Sequence, residues 1–317
     1  MIRYLLALAG AAALTGAAPV PADTPAQLAL LRDWDARVAT IAWRILTANR
    51  ARCSVQAPQT GLVIYAAGQY AGDYRTVATR LFGLDRGPAI VSVAPGSAAA
   101  RAGLRPGDVL LSVDGVPLPA TTTAAASFAP VQDAHDRIDR ALAAAPAELV
   151  VDRGGERRTI ELAADLGCPS FVQLVPSTKR NASADGDTVT ISSRVADYAE
   201  GDDELATPIA HEIAHNILGH RRALVRDRVS KGMFAGFGAN GRRLRATEDE
   251  ADLVGVELMA TAGYDPAAAV RFWTRFGPAS SQLIGDGTHR GWRARVGAIA
   301  AKVAAIGRDN PAAGVLK

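Results

Sequence analysis

The chain has 317 residues, of which 49% are hydrophobic and 21% are charged. That length suits two ordinary domains or one domain carrying an insert, and the hydrophobic share excludes a fibrous or wholly disordered chain. Basic residues exceed acidic ones by only three, 35 against 32, and the arginines are scattered along the chain. Because no basic block interleaved with aromatic residues is present, we expect no nucleic acid among the partners.

The N-terminus has the three-part layout of a secretory signal peptide. Arg3 is followed by an apolar run to about Ala18, and then by small residues and prolines that suit cleavage before Asp23. The apolar run is shorter than the ~20 residues that a bilayer span requires. We therefore expect residues 1–22 to be a signal peptide and the mature chain to be periplasmic or secreted, with no transmembrane segment. An uncleaved N-terminal membrane anchor is the alternative.

The chain contains two cysteines, Cys53 and Cys168. In an oxidising compartment an even pair usually forms a disulfide, and closing a loop of about 115 residues can contribute up to ~4 to 5 kcal/mol of stability. The sequence therefore predicts a Cys53–Cys168 disulfide. Two free buried thiols are the alternative.

The first elements of the mature chain are a helix and a strand. Residues 25–49 carry apolar side chains such as Leu28 and Ile41 close to a helical stripe, which predicts a packed amphipathic helix. A short alternating segment at residues 62–66 predicts a strand. We assign residues 23–75 to an N-terminal helix and strand that pack on the C-terminal domain.

A motif follows in GSAAARAGLRPGDVLLSVDG, where two β-rich runs flank a small-residue helical turn. This motif resembles the signature of PDZ domains of the bacterial protease-associated type, although Ala98 replaces the usual proline and Asp114 the usual asparagine. The pattern continues with a helix at residues 131–142 and with two strands near residues 149–152 and 158–162.

We assign residues 76–164 to this PDZ domain, which the two cysteines flank. A domain of this kind binds an extended peptide as an extra strand beside a sheet edge, with a helix as the other wall. We expect a peptide or protein ligand in that groove; a blocked groove in a module that acts as a spacer is the alternative. Because the cysteines stand on both sides, the domain is predicted to be an insertion.

The segment ELATPIAHEIAHNILGH contains His211, Glu212 and His215 as an HExxH motif in an apolar helical stretch. Residues four apart lie on one face of a helix, so both imidazoles can bind one metal ion while Glu212 lies beside them. His220 lies about 180° round an unbroken helix from His211, and we leave it out of the ligand set. Pro208 leaves two alternatives: the helix begins at Pro208, or it begins near residue 203 and kinks.

A third ligand is offered by ATEDEADLVGVELMATAGYDP, residues 246–266. Thr247 and Glu250 fit a capping box at the start of a helix, which places Glu248 and Asp252 on one face. We assign Glu248 as the third ligand of a catalytic zinc, one ion per chain. Asp252 fits a carboxylate that fixes a ligand histidine. An ordinary acidic first turn is the alternative.

HEIAHN, EDEAD, AGYDP and NASADGDTVTISSRVADYAEGDDELA resemble the zinc metallopeptidase family that includes HtpX, BepA and the CAAX prenyl endopeptidases. The segment GTHRGWRARV is similar to the family's THPxxxxR, with Arg290 in place of proline. The resemblance implies that His289 and Arg295 assist at the active site. It also implies an α+β fold: a mainly helical, gluzincin-type peptidase domain with a small sheet at residues 165–317, plus the inserted β-rich PDZ domain.

These residues predict a zinc endopeptidase in which Glu212 takes the proton of the attacking water and Arg295 or His289 stabilises the oxyanion. The segment at residues 187–193 is the expected sheet edge for a polypeptide substrate. The Gly-rich residues 231–241 are either a mobile cover or a solvated connection. The rival function is a periplasmic quality-control factor that binds polypeptides through its PDZ domain, with little or no cleavage.

Overall fold

The computed structural model describes most of the chain. Three expectations lie wholly or largely outside it: the signal peptide, the role of His289, and the Gly-rich connection before residue 238. The described residues are 23–120, 125–227, 229, 238–280 and 291–309.

The helices alternate with strands only in the first two thirds of the chain. The α-helices are α1 (Thr24–Ala48), α2 (Gly72–Phe82), α3 (Ala98–Arg101), α4 (Ala129–Leu142), α5 (Ser193–Tyr198), α6 (Asp202–Ile217), α7 (His220–Arg226), α8 (Gly238–Thr261), α9 (Ala267–Ser280) and α10 (Trp292–Asp309). Short 3-10 helices lie at Arg50–Arg52 and Ala67–Gln69. Among the described residues, no helix combines the length and the apolar character that crossing a bilayer needs.

The strands of the described residues form three separate sheets. They are β1 (Ala57–Gln59), β2 (Leu62–Tyr65), β3 (Ala89–Val93), β4 (Val109–Val113), β5 (Val116–Pro117), β6 (Ala147–Arg153), β7 (Glu156–Leu162), β8 (Asp165–Gly167), β9 (Phe171–Val175), β10 (Ala182–Ala184) and β11 (Thr188–Ser192). The strand order is β2-β3-β4-β6-β7 in the largest sheet, with β5 paired to β4, and β10-β11-β9 in the three-stranded sheet. β1 pairs with β8 in a two-stranded ribbon.

The large sheet forms the inserted domain. Its β3, β4, β6 and β7 and the helix α4 coincide with the elements that the PDZ-like motif predicted. Apolar side chains from these strands and from α3 and α4 enclose one core, which includes Leu110, Ile138 and Leu149. The insert therefore has its own hydrophobic core, as an independent domain requires.

The strand at the start of this sheet corrects the expected domain division. β2 was assigned to the part that packs on the C-terminal domain, but it pairs antiparallel with β3, Leu62 opposite Val93. Its residues alternate between two apolar environments: Leu62 and Ile64 join the core of the insert, whereas Val63 and Tyr65 pack in a second cluster with α1 and α2. Because both faces are buried, β2 holds the insert's sheet against α1.

The C-terminal domain is mainly helical, so the whole chain has the expected α+β fold. α6 packs against α1, α8 and α9, and also against β10 and β11 of the three-stranded sheet. Leu205, Ile209 and Ile213 of α6 are fully buried in the core that these elements share. The helix thus lies at the centre of the domain, where contacts with helices and with the sheet fix its orientation.

The structure decides between the two starts proposed for the HExxH helix. α6 begins at Asp202, with three acidic residues in its first turn, and Pro208 lies inside it. Negative side chains near a helix N-terminus interact favourably with the helix dipole. The earlier start is therefore the one that the chain adopts, although proline removes one backbone hydrogen-bond donor there.

A disulfide and a set of hydrogen bonds connect the two domains. Cys53 and Cys168 form the predicted disulfide, with their Cα atoms 5.5 Å apart. Next to it, the Asp165 carboxylate accepts hydrogen bonds from Trp43 Nε1 at 3.2 Å and from the Ala98 backbone N–H at 2.8 Å. Since Trp43 belongs to α1 and Ala98 to the insert, this carboxylate connects the two domains directly.

Candidate metal centre

The two histidines of α6 are brought together as the helical spacing predicted. Their Nε2 atoms are 3.2 Å apart, and the rings meet edge to face. His211 is buried and His215 is half-buried. The pair therefore opens toward solvent on the His215 side.

Glu248 of α8 brings a carboxylate to the same point as the two histidines, where it could provide a third ligand atom. Its Oε2 lies 3.3 Å from His211 Nε2 and its Oε1 lies 3.6 Å from His215 Nε2. Zinc binds nitrogen and oxygen at about 2.0–2.1 Å, so two ligands of a tetrahedral zinc are about 3.3 Å apart. The three observed separations match that edge length, and the residues present fit a zinc ion with one coordination position left over.

Asp252, one turn after Glu248, binds the opposite nitrogen of the same ring. Its Oδ1 lies 2.9 Å from His211 Nδ1, while Glu248 faces His211 Nε2. Burial raises the pKa of Asp252, but the His211 ring and the Arg295 guanidinium outweigh burial and hold that pKa below its ordinary value. The ionised carboxylate holds the His211 ring with its Nε2 directed toward Glu248 and His215.

The same contacts determine the charge of His211 before metal binds. Burial lowers the pKa of this ring, but hydrogen bonds to the Asp252 and Glu248 carboxylates outweigh it and raise the pKa to about 10. A metal ligand must carry no proton on the binding nitrogen. Metal binding is therefore expected to release a proton from this site.

Arg295 lies on the Nδ1 side of His211, whereas Glu248 and His215 meet this ring on its Nε2 side. Its guanidinium makes two hydrogen bonds of 2.6 Å to the Asp252 carboxylate and lies over the Trp273 ring, 3.3 Å from the ring centroid. Its Nη2 is 3.4 Å from His211 Nδ1, on the side of the ring away from Nε2. In place of the expected oxyanion role, these contacts indicate that Arg295 holds the Asp252 carboxylate against His211 Nδ1. His289, the other residue of that expectation, lies outside the described residues.

Glu212 is half-buried beside the ligand histidines on α6. Burial raises the pKa of Glu212 above its ordinary value, and the nearby Glu248 carboxylate adds to the increase, while the two ligand histidines partly offset it. A carboxylate with a raised pKa accepts a proton more readily near neutral pH. The position and the pKa both suit a general base.

The expected capping box at Thr247 and Glu250 is wrong. α8 begins at Gly238, so Thr247 lies inside the helix, where its hydroxyl donates to the Leu244 carbonyl at 2.8 Å. At its other end, α8 stops at Thr261, and Gly263 follows with a left-handed φ of 76°. The upstream turns have no apolar stripe, and for that reason the start was placed too late.

Sequence reasoning missed that His220 and Glu250 lie beside His215. The Nδ1 atom of the buried His220 lies 3.0 Å from His215 Nδ1, and its Nε2 lies 3.3 Å from Glu250 Oε2. His220 was placed on the opposite side because an unbroken helix was assumed. Instead α6 ends at Ile217 and Gly219 takes a left-handed φ of 66°. A glycine at that point is a known helix-stop signal, so it could have shown the break.

The expected substrate edge is also corrected. β11, which covers most of residues 187–193, is the central strand, because β9 pairs with it in parallel and β10 antiparallel. The edge strand beside α6 is β10. Asn216 of α6 fixes this hairpin, because its Oδ1 accepts a hydrogen bond from the Gly186 backbone N–H at 2.9 Å.

Comparisons with known proteins agree with both domains. A model described as PDZ domain matches residues 90–148, and a model described as peptidase family M48 matches residues 155–244. The second match includes the HExxH helix and ends before Glu248. No curated protein matches the chain. A crystal structure of the HtrA3 PDZ domain bound to a phage-derived ligand is 18% identical, over 35% of this chain and 88% of that chain, with a TM-score of 0.24.

Proposed function

We propose that this chain, which combines a PDZ domain with a domain of peptidase family M48, is an exported zinc-dependent endopeptidase that cleaves misfolded or unassembled proteins. The observation that carries the proposal is the convergence of His211, His215 and Glu248 at the separations of a tetrahedral zinc site. Glu212 lies beside that site on the same helix as the histidines. The disulfide and the layout of the N-terminus support export.

The zinc ion and the protein side chains would have separate roles in the reaction. Zinc bound by the two histidines and Glu248 would lower the pKa of a water molecule and polarise the scissile carbonyl. Glu212 takes the proton of that water and passes it to the leaving amine. Asp252 and Arg295 keep the His211 ring in the orientation that binding requires.

The edge of β10 is the best place for the substrate backbone. β10 pairs with β11 along one side and packs beside α6, and no described strand pairs with its other side. An extended peptide adds to such an edge through main-chain hydrogen bonds, which suits polypeptides of many sequences. Asn216 connects the β10–β11 hairpin to the helix that carries His211 and His215. We therefore propose that a peptide on this edge runs past the metal position.

The PDZ domain has a second sheet edge on which a peptide could be added as a strand. β2 ends the large sheet, and α4 packs beside it and provides the other wall of a groove. We propose that this groove binds a peptide segment of the substrate or of a regulator. The disulfide and the Asp165 hydrogen bonds hold the domain in one position relative to the metal site.

The test is cleavage of unfolded casein by the purified mature chain, with and without a chelator, beside zinc stoichiometry. Glu212→Gln should bind one zinc per chain and lose about 10²- to 10⁴-fold in cleavage rate, because only the proton acceptor is removed. His211→Ala should lose the zinc as well. Full activity of Glu212→Gln would remove this residue from the mechanism, and undiminished zinc in His211→Ala would refute the ligand assignment.

A PDZ-based polypeptide-binding factor is the second candidate. It is favoured by the complete fold of the insert, whose core is separate from the metal site. The same casein experiment distinguishes the two functions. Stoichiometric binding that a chelator leaves unchanged, with no cleavage, would support the binder, whereas chelator-sensitive cleavage supports the peptidase.

A further inference from the structure

A line of hydrogen-bonding groups leads away from the metal position on the side of His215. His215 Nδ1 lies 3.0 Å from His220 Nδ1, and His220 Nε2 lies 3.3 Å from Glu250 Oε2. His220 is buried, with 5% of its surface exposed, whereas 57% of the Glu250 side chain is exposed. The line therefore runs from the buried site to a carboxylate at the surface.

The positions of the nitrogens determine which of them carry protons. His215 Nε2 faces His211 Nε2 and Glu248, so it must be unprotonated when a metal is bound. The proton of a neutral His215 is then on Nδ1, which donates to His220 Nδ1. His220 in turn carries its proton on Nε2 and donates it to Glu250. Each group donates once toward the surface, and both rings are held in one tautomer.

The chain turns sharply to produce this arrangement. Gly219, at a φ of 66°, separates α6 from α7 and makes His220 the first residue of the new helix. In the sequence of α8, Glu250 lies between Glu248 and Asp252, whose carboxylates both contact His211. Thus α8 supplies a carboxylate to the Nδ1 side of each ligand histidine, directly through Asp252 and indirectly through Glu250.

We propose that His220 and Glu250 are positioning residues that orient His215 and fix the tautomer in which its Nε2 binds the metal. The inference rests on the proposed function, because it concerns the zinc ligand His215. His220 is not a further ligand, since its ring contacts the Nδ1 side of His215 and the three ligand atoms meet on the Nε2 side. Partners of this kind typically change metal affinity about 10- to 100-fold when they are removed.

The test measures the zinc dissociation constant of the mature chain by competition with a chromophoric chelator. His220→Leu removes the acceptor for His215 Nδ1 and should raise the dissociation constant about 10- to 100-fold. His220→Asn places a side-chain oxygen near the position of Nδ1, so it should recover most of the affinity. Val225→Ala, on the exposed face of α7, is the matched control and should bind zinc as the wild type does.

A spectroscopic measurement separates this role from a merely structural one. With Co²⁺ in place of zinc, His220→Leu should keep a melting temperature close to that of the wild type but show shifted visible bands, because the orientation of one ligand has changed. His220→Asn should restore the wild-type spectrum. A His220→Leu variant with wild-type affinity and spectrum would overturn the proposal, and so would an Asn variant as impaired as the Leu variant.

A second variant covers the case in which His220→Leu does not fold. Glu250→Leu changes a mostly exposed side chain and removes the outer end of the line, so a several-fold weaker zinc affinity is expected. Unchanged zinc affinity of Glu250→Leu would overturn the role of Glu250, and with it the proposed line of hydrogen bonds from His215 to the surface. Absence of zinc binding by the wild type would instead contradict the proposed function, and the positioning roles of His220 and Glu250 would be contradicted as well.

Discussion

The Nδ1 atoms of His211 and His215 have different partners. His211 Nδ1 contacts the Asp252 carboxylate, which Arg295 binds in turn, whereas His215 Nδ1 contacts the His220 ring. A carboxylate partner makes an imidazole more basic and fixes its tautomer. His211 should therefore be the stronger ligand of the two, and removal of its support should be the more damaging.

Arg295→Lys tests the revised role of the arginine. A lysine cannot make the paired hydrogen bonds that the guanidinium makes with Asp252, so we expect about tenfold weaker zinc binding. The measurement is the zinc dissociation constant alongside kcat at saturating zinc. A large fall in kcat with unchanged zinc affinity would contradict this role and restore the oxyanion role.

The contact between α6 and α8 sets the geometry of the metal site. A Cβ added at Gly255 would lie 3.1 Å from the His211 backbone nitrogen and 3.2 Å from its Cα. Those separations are tighter than ordinary van der Waals contact, so only glycine lets the two helices approach this closely. Gly255 therefore sets how closely α8 approaches the backbone of α6 at His211.

Gly255→Ala should weaken zinc binding several-fold to about tenfold, because α6 must shift at His211. Alanine favours helix formation by about 1 kcal/mol, so the free energy of unfolding need not fall. Gly307→Ala, on the exposed part of α10, is the control. Among the described residues nothing lies within 4 Å of its added Cβ, so it should gain stability at unchanged zinc affinity. Equal zinc affinity for both variants would contradict the account of this contact.

Several elements were predictable because their signal is local. Helical periodicity located α1, and turn glycines with apolar runs located β3 and β4 of the insert. The HExxH spacing located His211 and His215, and the acidic pair one turn apart located Glu248 and Asp252. Such patterns depend on residues a few positions apart, which a sequence displays directly.

The errors arose where a distant contact decides the outcome. β11 is central because β9, which precedes it by more than ten residues, pairs with it in parallel, and no local pattern shows that pairing. β2 belongs to the insert because Leu62 pairs with Val93. Arg295 was assigned from a short resemblance, and its partner Asp252 is 43 residues away in the chain.

At the scale of the whole molecule, Asp35 connects three parts of the fold. This residue of α1 accepts hydrogen bonds from the Tyr65 hydroxyl in the insert and from the Leu174 backbone N–H in the C-terminal domain. Burial raises the pKa of Asp35 from 3.8 to about 6, although both hydrogen bonds oppose the increase. The folded protein therefore favours the protonated carboxyl between about pH 4 and 6.

The pH dependence of stability follows from that shift. Because the pKa is raised in the folded state, the stabilisation from this group is present below pH 4 and is lost as the pH rises through about 6. A shift of about two pH units corresponds to about 3 kcal/mol. Asp35→Asn should accordingly gain about 2 to 3 kcal/mol relative to the wild type between pH 4 and pH 7.

The measurement for Asp35 is the free energy of unfolding of both proteins in urea at the two pH values. Asp33→Asn, on the exposed face of α1, controls for the loss of a negative charge. A difference between Asp35→Asn and the wild type that stays constant from pH 4 to pH 7 would show that the carboxyl is not held in this environment.

Anomalous diffraction at the zinc absorption edge, on crystals of the mature chain, tests the metal site most directly. We predict one zinc ion per chain, bound at about 2.0–2.1 Å by His211 Nε2, His215 Nε2 and a Glu248 oxygen, with a water molecule in the fourth position. An ion bound elsewhere, or a zinc-saturated crystal with no anomalous peak between these three residues, would contradict the account.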